Sequence, residues 1–311
     1  MSRTPEEIGA KMDALGLWDS LASVNFAVKP KGTAFPYFCT VHKGDGKLVK
    51  VRFLMLEGWQ TLHDYVRISI DANFGFYSVP MELPHFELVV LMTGETKLFR
   101  HDTGYLPQEA NGPQRELAVR ILWEAYGVMM RIEAEPQLAL RFAEEKAVFA
   151  RVETAVGTWE DRPLVVPDPP PHVEKVLFPS ADLKVAKDLP FVRDEVLDLD
   201  FRLLTNVMTK ERRPRSVYGL MAVDAKTGET AIDSRVSIHP EIGLRGLWEG
   251  MPTQVLRELI RRGKVPGEIR LRSGRVFRFL RALCMELPFK LSLHDKLPSL
   301  DVWPRLSPAA T

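Results

Sequence analysis

Apolar residues recur along this chain at two spacings, and the switches between them mark out the elements. From Pro5 to Ala22 the spacing predicts a helix, with Ile8, Met12, Leu15 and the Leu17-Trp18 pair on one side. Thr4 can cap it, Pro5 suits its first turn and Glu7 stands at the capping-box position. Three strands are predicted next: Asn25 to Lys29, Phe35 to His42 and Lys47 to Leu56. The last two are joined as a hairpin across Gly44-Asp45-Gly46. From Gly58 to Ile70 the spacing lengthens again, placing Trp59, Leu62, Val66 and Ile70 on one side. Phe86 to Met92 is an unbroken apolar run, as in a strand covered on both faces, and Thr93-Gly94-Glu95-Thr96 turns it into Lys97 to Arg100.

Two long helices are then predicted. Between Gln114 and Glu133, Leu117, Ile121, Ala125, Val128 and Ile132 keep a helical repeat. After a break at Ala134-Glu135-Pro136, residues Leu138, Phe142, Phe149, Val152 and Val156 form a matching stripe, which predicts an antiparallel helical hairpin. The run Val165-Val166-Pro167-Asp168-Pro169-Pro170-Pro171-His172 is stiff and extended, and reads as a spacer between domains.

Beyond it, Asp182 to Leu189 reads as a short helix and Val196 to Val207 as a strand with alternating Leu197, Asp198, Leu199, Asp200 and Phe201. Ser216 to Asp224 and Thr230 to Ile238 form another hairpin. Leu244 to Arg262 is helical, with a break expected near Gly250 and Pro252. Glu268 to Arg272, Arg275 to Leu287 and Phe289 to His294 complete the order as strand, helix and strand. The expected fold class is α/β (α+β), with an antiparallel meander plus helices in each of two domains. Residues 1–160 form the first domain, ending in the helical hairpin. Residues 161–174 are the linker, 175–303 the second domain, and 304–311 a loose tail. The first domain also reads β-β-β-α-β, an arrangement compatible with duplication.

Composition narrows the picture little: 45% of residues are apolar, 27% are charged, and the net charge is +1. No signal peptide or membrane-spanning run is visible, so the cytosol is the expected setting and no membrane partner is expected. Cys39 and Cys284 lie in apolar runs and read as reduced, buried thiols. Phosphate-loop, dinucleotide and nucleophile-elbow motifs are missing. Seven histidines are scattered, and none forms a His-x-x-x-His pair. His63-Asp64, His101-Asp102 and His294-Asp295 read as turn residues. No metal or cofactor is expected.

Charge is unevenly placed. Between Phe201 and Arg281 there are 17 Lys/Arg and 8 Asp/Glu, a net of +9, which leaves −8 for the rest of the +1 chain. Candidate anion-binding residues are Arg212, Arg213, Arg215, Arg261, Arg262, Lys264, Arg270, Arg272, Arg275, Arg278 and Arg281. If they converge, guanidinium groups could hold phosphate oxygens; otherwise they form solvated or internally paired faces.

The order βββαβαβ of the second domain resembles the ribonuclease-H-like fold. That resemblance implies two metal ions held by carboxylates of the first strand, the first long helix and the end of the fourth strand. Asp198 and Asp200 are the candidates for the first place, and Glu249 and Glu258 for the second. The fourth strand offers Arg270 and Arg272 instead of an acid, so the carboxylate set is incomplete. The other reading of Asp198 and Asp200 is a solvated strand edge. The segments Glu57-Gly58-Trp59, Pro214-x-x-Val217 through Asp224-x-x-x-Gly228, Pro266-x-x-Ile269 and Leu297-Pro298-x-Leu300-Asp301 resemble an uncharacterised bacterial two-domain family. This implies a bacterial, cytosolic protein and carries no catalytic residues with it. The leading expectation is a non-catalytic binding or regulatory protein with a basic face, for nucleic acid or another polyanion. The rivals are a metal-dependent phosphodiesterase and a structural partner docking through the hairpin from Gln114 to Val156.

Overall fold

The computed structural model describes residues 3–16, 26–44, 46–70, 83–138, 147–168, 176–204, 214–238 and 243–301. The tail from Pro304 lies outside them. The chain forms two compact units, one running to residue 171 and one from residue 172 onward. The second unit also takes in Thr103–Leu106. The Leu106 amide there donates to the Pro214 carbonyl and the Ser216 amide to the Gly104 carbonyl, each at 2.9 Å.

In the first unit, helix α1 (Pro5–Ala14) has the predicted capping box, with the Glu7 amide donating to the Thr4 hydroxyl. It ends at Ala14, just before Gly16 turns the chain at a φ of 65°, and the rest of the predicted helix, Leu17 to Ala22, lies outside the described residues. Strands β1 (Phe26–Lys29), β2 (Tyr37–Lys43) and β3 (Val49–Glu57) lead to α2 (Gly58–Ile70), β4 (His85–Leu91), β5 (Thr96–His101) and β6 (Gln108–Glu109). Helix α3 (Gly112–Ala134), β7 (Ala147–Glu153) and β8 (Trp159–Val165) follow. The sheet order is β6-β5-β4-β3-β2-β1-β7-β8, and only β1 and β7 are parallel neighbours. One face packs Phe26, Cys39, Phe53 and Leu88 against Met12 of α1 and Ile121 and Ala125 of α3. The Phe, Leu, Ile and Met side chains among these each contribute about 1.5–3 kcal/mol of burial. Cys39 is fully buried, and burial pushes its thiol up.

Two expectations fail here. The helix predicted from Pro136 to Val156 is, over Ala147–Glu153, strand β7. Val148 and Val152 favour extended backbone, and Gly157, at a φ of 81°, returns the chain as β8. The second arm of the helical hairpin offered as a docking surface is therefore strand from Ala147 onward; Gln137 and Leu138 are helical, and residues 139–146 lie outside the described residues. The predicted linker also begins too early, because Trp159–Val165 is paired along β7. Pro163 is accommodated in β8, since β8 is an edge strand that leaves one row of amides unpaired.

The second unit contains α4 (Ser180–Lys187), β9 (Phe191–Leu204), β10 (Val217–Asp224), β11 (Thr230–Ser237) and α5 (Gly243–Arg262). It continues through β12 (Val265–Leu271), α6 (Gly274–Cys284), β13 (Lys290–Leu293) and the short turn α7 (Pro298–Asp301). Its sheet order is β11-β10-β9-β12-β13, antiparallel on one side of β9 and parallel on the other. In the first unit β4 instead pairs antiparallel with β3, and β1 gains its parallel partner only after α3. The predicted break in α5 does not occur. Leu247, Trp248, Met251, Val255, Leu256 and Leu259 are all buried, and their burial exceeds the roughly 3 kcal/mol cost of Pro252 within the helix. Among the described residues, no helix is long and apolar enough to cross a membrane.

Candidate functional site

Strand β9 is the centre of its sheet, and its alternation sorts the side chains cleanly. Leu197, Leu199 and Phe201 join the core beneath α5 and α6, whereas Asp198 and Asp200 project from the other face. Met221, Val223, Leu297 and Leu300 form a small apolar cluster on that acidic face. The aspartates are therefore not a solvated edge: Asp198 is 2% exposed and Asp200 8%. Arg272 donates to Asp200 Oδ2 at 2.6 Å and to Asp301 Oδ1 at 2.8 Å. Burial opposes the charged guanidinium, but the two carboxylates outweigh it and hold Arg272 above its ordinary value. Arg270 stands in register with Asp198 on the parallel neighbour. Asp198 Oδ1 is buried without a hydrogen-bond partner among the described residues. Glu249 takes no part, since its carboxylate pairs with Arg245 one turn away on α5, the helix across the sheet.

Among the described residues the cationic positions fall into separate groups. Arg212 and Arg213 lie outside the described residues. Arg215 is exposed and bridges Tyr105. Arg261 pairs with Glu258, while Arg262 and Lys264 converge on the buried Glu195, all at 2.7 Å. These residues precede β12, whereas Arg272 follows it, roughly 25 Å farther along the extended chain. Arg270 Nε lies 3.8 Å from Glu268. Arg275 stacks over the Trp248 ring at 3.9 Å, and Arg278 and Arg281 are exposed on α6. Much of the positive excess is thus consumed by local pairing.

A second constellation, in the first unit, escaped the sequence reading. His85 and Glu87 are two apart on β4, and His101 of β5 is the cross-strand partner of His85. All three are buried, and one ligand-capable atom from each lies within 4.8 Å of the others. The imidazole rings of His85 and His101 stack at 4.0 Å. His85 Nδ1 donates to the Leu83 carbonyl at 2.7 Å, and His101 Nε2 to Glu87 Oε2 at 2.8 Å. Arg52 donates to Glu87 Oε1 at 2.6 Å. Burial, followed by repulsion from His101, pushes His85 down to about 3. Burial alone would raise the Glu87 carboxyl, but the His101 bond and the nearby positive charge hold it well below the usual range. His101 is therefore a buried strand residue and not the turn residue expected from His101-Asp102. The signal was present: the turn at Thr93–Thr96 fixes a register that sets residue 101 opposite residue 85.

The model of a family described as a domain of unknown function, DUF6930, matches residues 182–303, the stretch from α4 through α7. No curated protein and no solved structure matches the chain. The match is thus to a family with no assigned function, and the acidic face with its arginines lies wholly inside it.

Proposed function

We propose that this is a non-catalytic binding or regulatory protein, whose second unit is a ribonuclease-H-like domain with its acidic centre held by arginine. The observation that carries this reading is Arg272, bonded to both Asp200 and Asp301. Two-metal hydrolysis needs several anionic ligands converging on divalent ions about 4 Å apart. Here a permanently charged guanidinium already occupies Asp200, and a second stands opposite Asp198. The antiparallel meander followed by two parallel strands supports the fold assignment. The rival phosphodiesterase reading requires a helix glutamate, Glu249 or Glu258, and both belong to α5 on the opposite face, paired with Arg245 and Arg261.

The test uses the full-length protein with Mg²⁺. Millimolar Mg²⁺ is expected to leave the thermal midpoint unchanged and to support no cleavage of single- or double-stranded nucleic acid. Arg272→Ala, which strands Asp200 and Asp301, is expected to cost about 2–4 kcal/mol in urea denaturation. Mg²⁺-dependent cleavage abolished by Asp200→Asn would overturn the reading. For the partner, α6 with its exposed Arg278 and Arg281 supports an anionic one. Titration with oligonucleotides at low salt should then weaken on Arg278→Glu/Arg281→Glu, and unchanged affinity removes nucleic acid as that partner.

A further inference from the structure

The cluster on β4 and β5 has a chemistry that the second unit does not explain. The Leu83 carbonyl can only accept, so His85 Nδ1 carries the proton of that bond and the neutral ring keeps a bare lone pair on Nε2. The Glu87 carboxylate likewise accepts from His101 Nε2. Both remaining nitrogens, His85 Nε2 and His101 Nδ1, are buried without a hydrogen-bond partner among the described residues. Leaving such groups dry and unpaired is costly, and fully buried side chains of this kind call for an explanation.

We propose that His85, Glu87 and His101 form a binding site for one divalent first-row transition-metal ion, with Zn²⁺ as the reference case. Two imidazoles and a carboxylate are the donor set that suits Zn²⁺ and Fe²⁺ and disfavours Mg²⁺ and Ca²⁺. His101 Nε2 and Glu87 Oε2 stand 2.8 Å apart, so one ion at about 2.1 Å from each could take the place of the Nε2 proton, with the neutral ring then carrying its proton on Nδ1. His85 supplies Nε2, which is bare because Nδ1 is held by the Leu83 carbonyl, and the stacked rings turn out of their parallel arrangement to share one ion. The Arg52 bond to Glu87 Oε1 fixes the carboxylate from behind, the arrangement by which outer groups orient ligands. The placement follows from the hairpin, since positions two apart on one strand and opposite on the next share a face. The site lies in the first unit, outside the matched family region, and stands or falls independently of the reading of the second unit.

The experiment takes full-length protein stripped with a chelator and titrates it with Co²⁺ and with Zn²⁺. One equivalent of Co²⁺ should give visible d–d absorption, displaced by one equivalent of Zn²⁺. His85→Asn, His101→Asn and the isosteric Glu87→Gln should each weaken Zn²⁺ binding by about 100-fold or more. Should a variant misfold, imidazole ¹⁵N spectra of the unaltered protein decide the matter, because Zn²⁺ must shift the signals of His85 and His101. Absence of stoichiometric uptake overturns the proposal. So does wild-type affinity in His85→Asn/His101→Asn, or a Zn²⁺ response confined to other histidines.

Discussion

Ser292 on β13 donates to Glu268 of β12 at 2.5 Å, and this bond is the main cause that lowers the Glu268 carboxyl from its ordinary 4.5. Partial burial opposes it, while Arg270, Lys290 and His294 add to it. The folded chain therefore binds fewer protons at Glu268 than the unfolded one. The resulting stability is full above 4.5 and is lost as pH falls through the lowered value. Ser292→Ala should move the Glu268 carboxyl back towards 4.5 in a carboxyl ¹³C NMR titration. The stability difference from the wild type should be greatest above 4.5 and shrink in acid. At this scale the sequence disclosed which residues share a face, since Asp198 and Asp200 are two apart, and it disclosed that arginine follows where an acid was needed. It did not disclose partners. Glu195 lies 67 residues from Arg262 and Asp200 lies 72 from Arg272, separations that only tertiary pairing closes.

Strand β12 slips its register against β9 between Pro266 and Glu268. A Cβ at Gly267 would sit 1.9 Å from the Arg193 carbonyl oxygen, a backbone atom that cannot swing aside. Gly267→Ala is expected to destabilise the protein by more than about 2 kcal/mol. Gly250→Ala is the control: a Cβ there meets nothing within 4 Å on α5, and a gain of about 0.5–1 kcal/mol is expected. Urea midpoints of both variants check this pair. Elements flanked by clear turn chemistry, such as β2, β3, β10 and β11, were legible from sequence. Strand β7 was not, because Phe149, Val152 and Val156 fit a helical repeat as well as an extended one. Its hairpin with β8 is local, but its other neighbour, β1, lies more than a hundred residues earlier. The unbroken α5 was hidden for the converse reason, since local breakers yield to burial in a core that no local window shows.

Each unit closes its own apolar core, one around Phe53 and Leu88 and the other around Leu256 and Ile269. Leu256→Ala should open a cavity in the second and cost about 2–5 kcal/mol, seen by calorimetry as a lowered transition of that unit. The proline run looked like the place where one domain gives way to the next, yet Thr103–Leu106 belongs with the later unit. Chain order and spatial membership therefore part company here. During synthesis that short stretch leaves the ribosome long before the carbonyl of Pro214 and the amide of Ser216 exist to meet it. The second unit cannot be finished from a contiguous piece of polypeptide, and a fragment severed at the prolines would hand those two backbone groups to water.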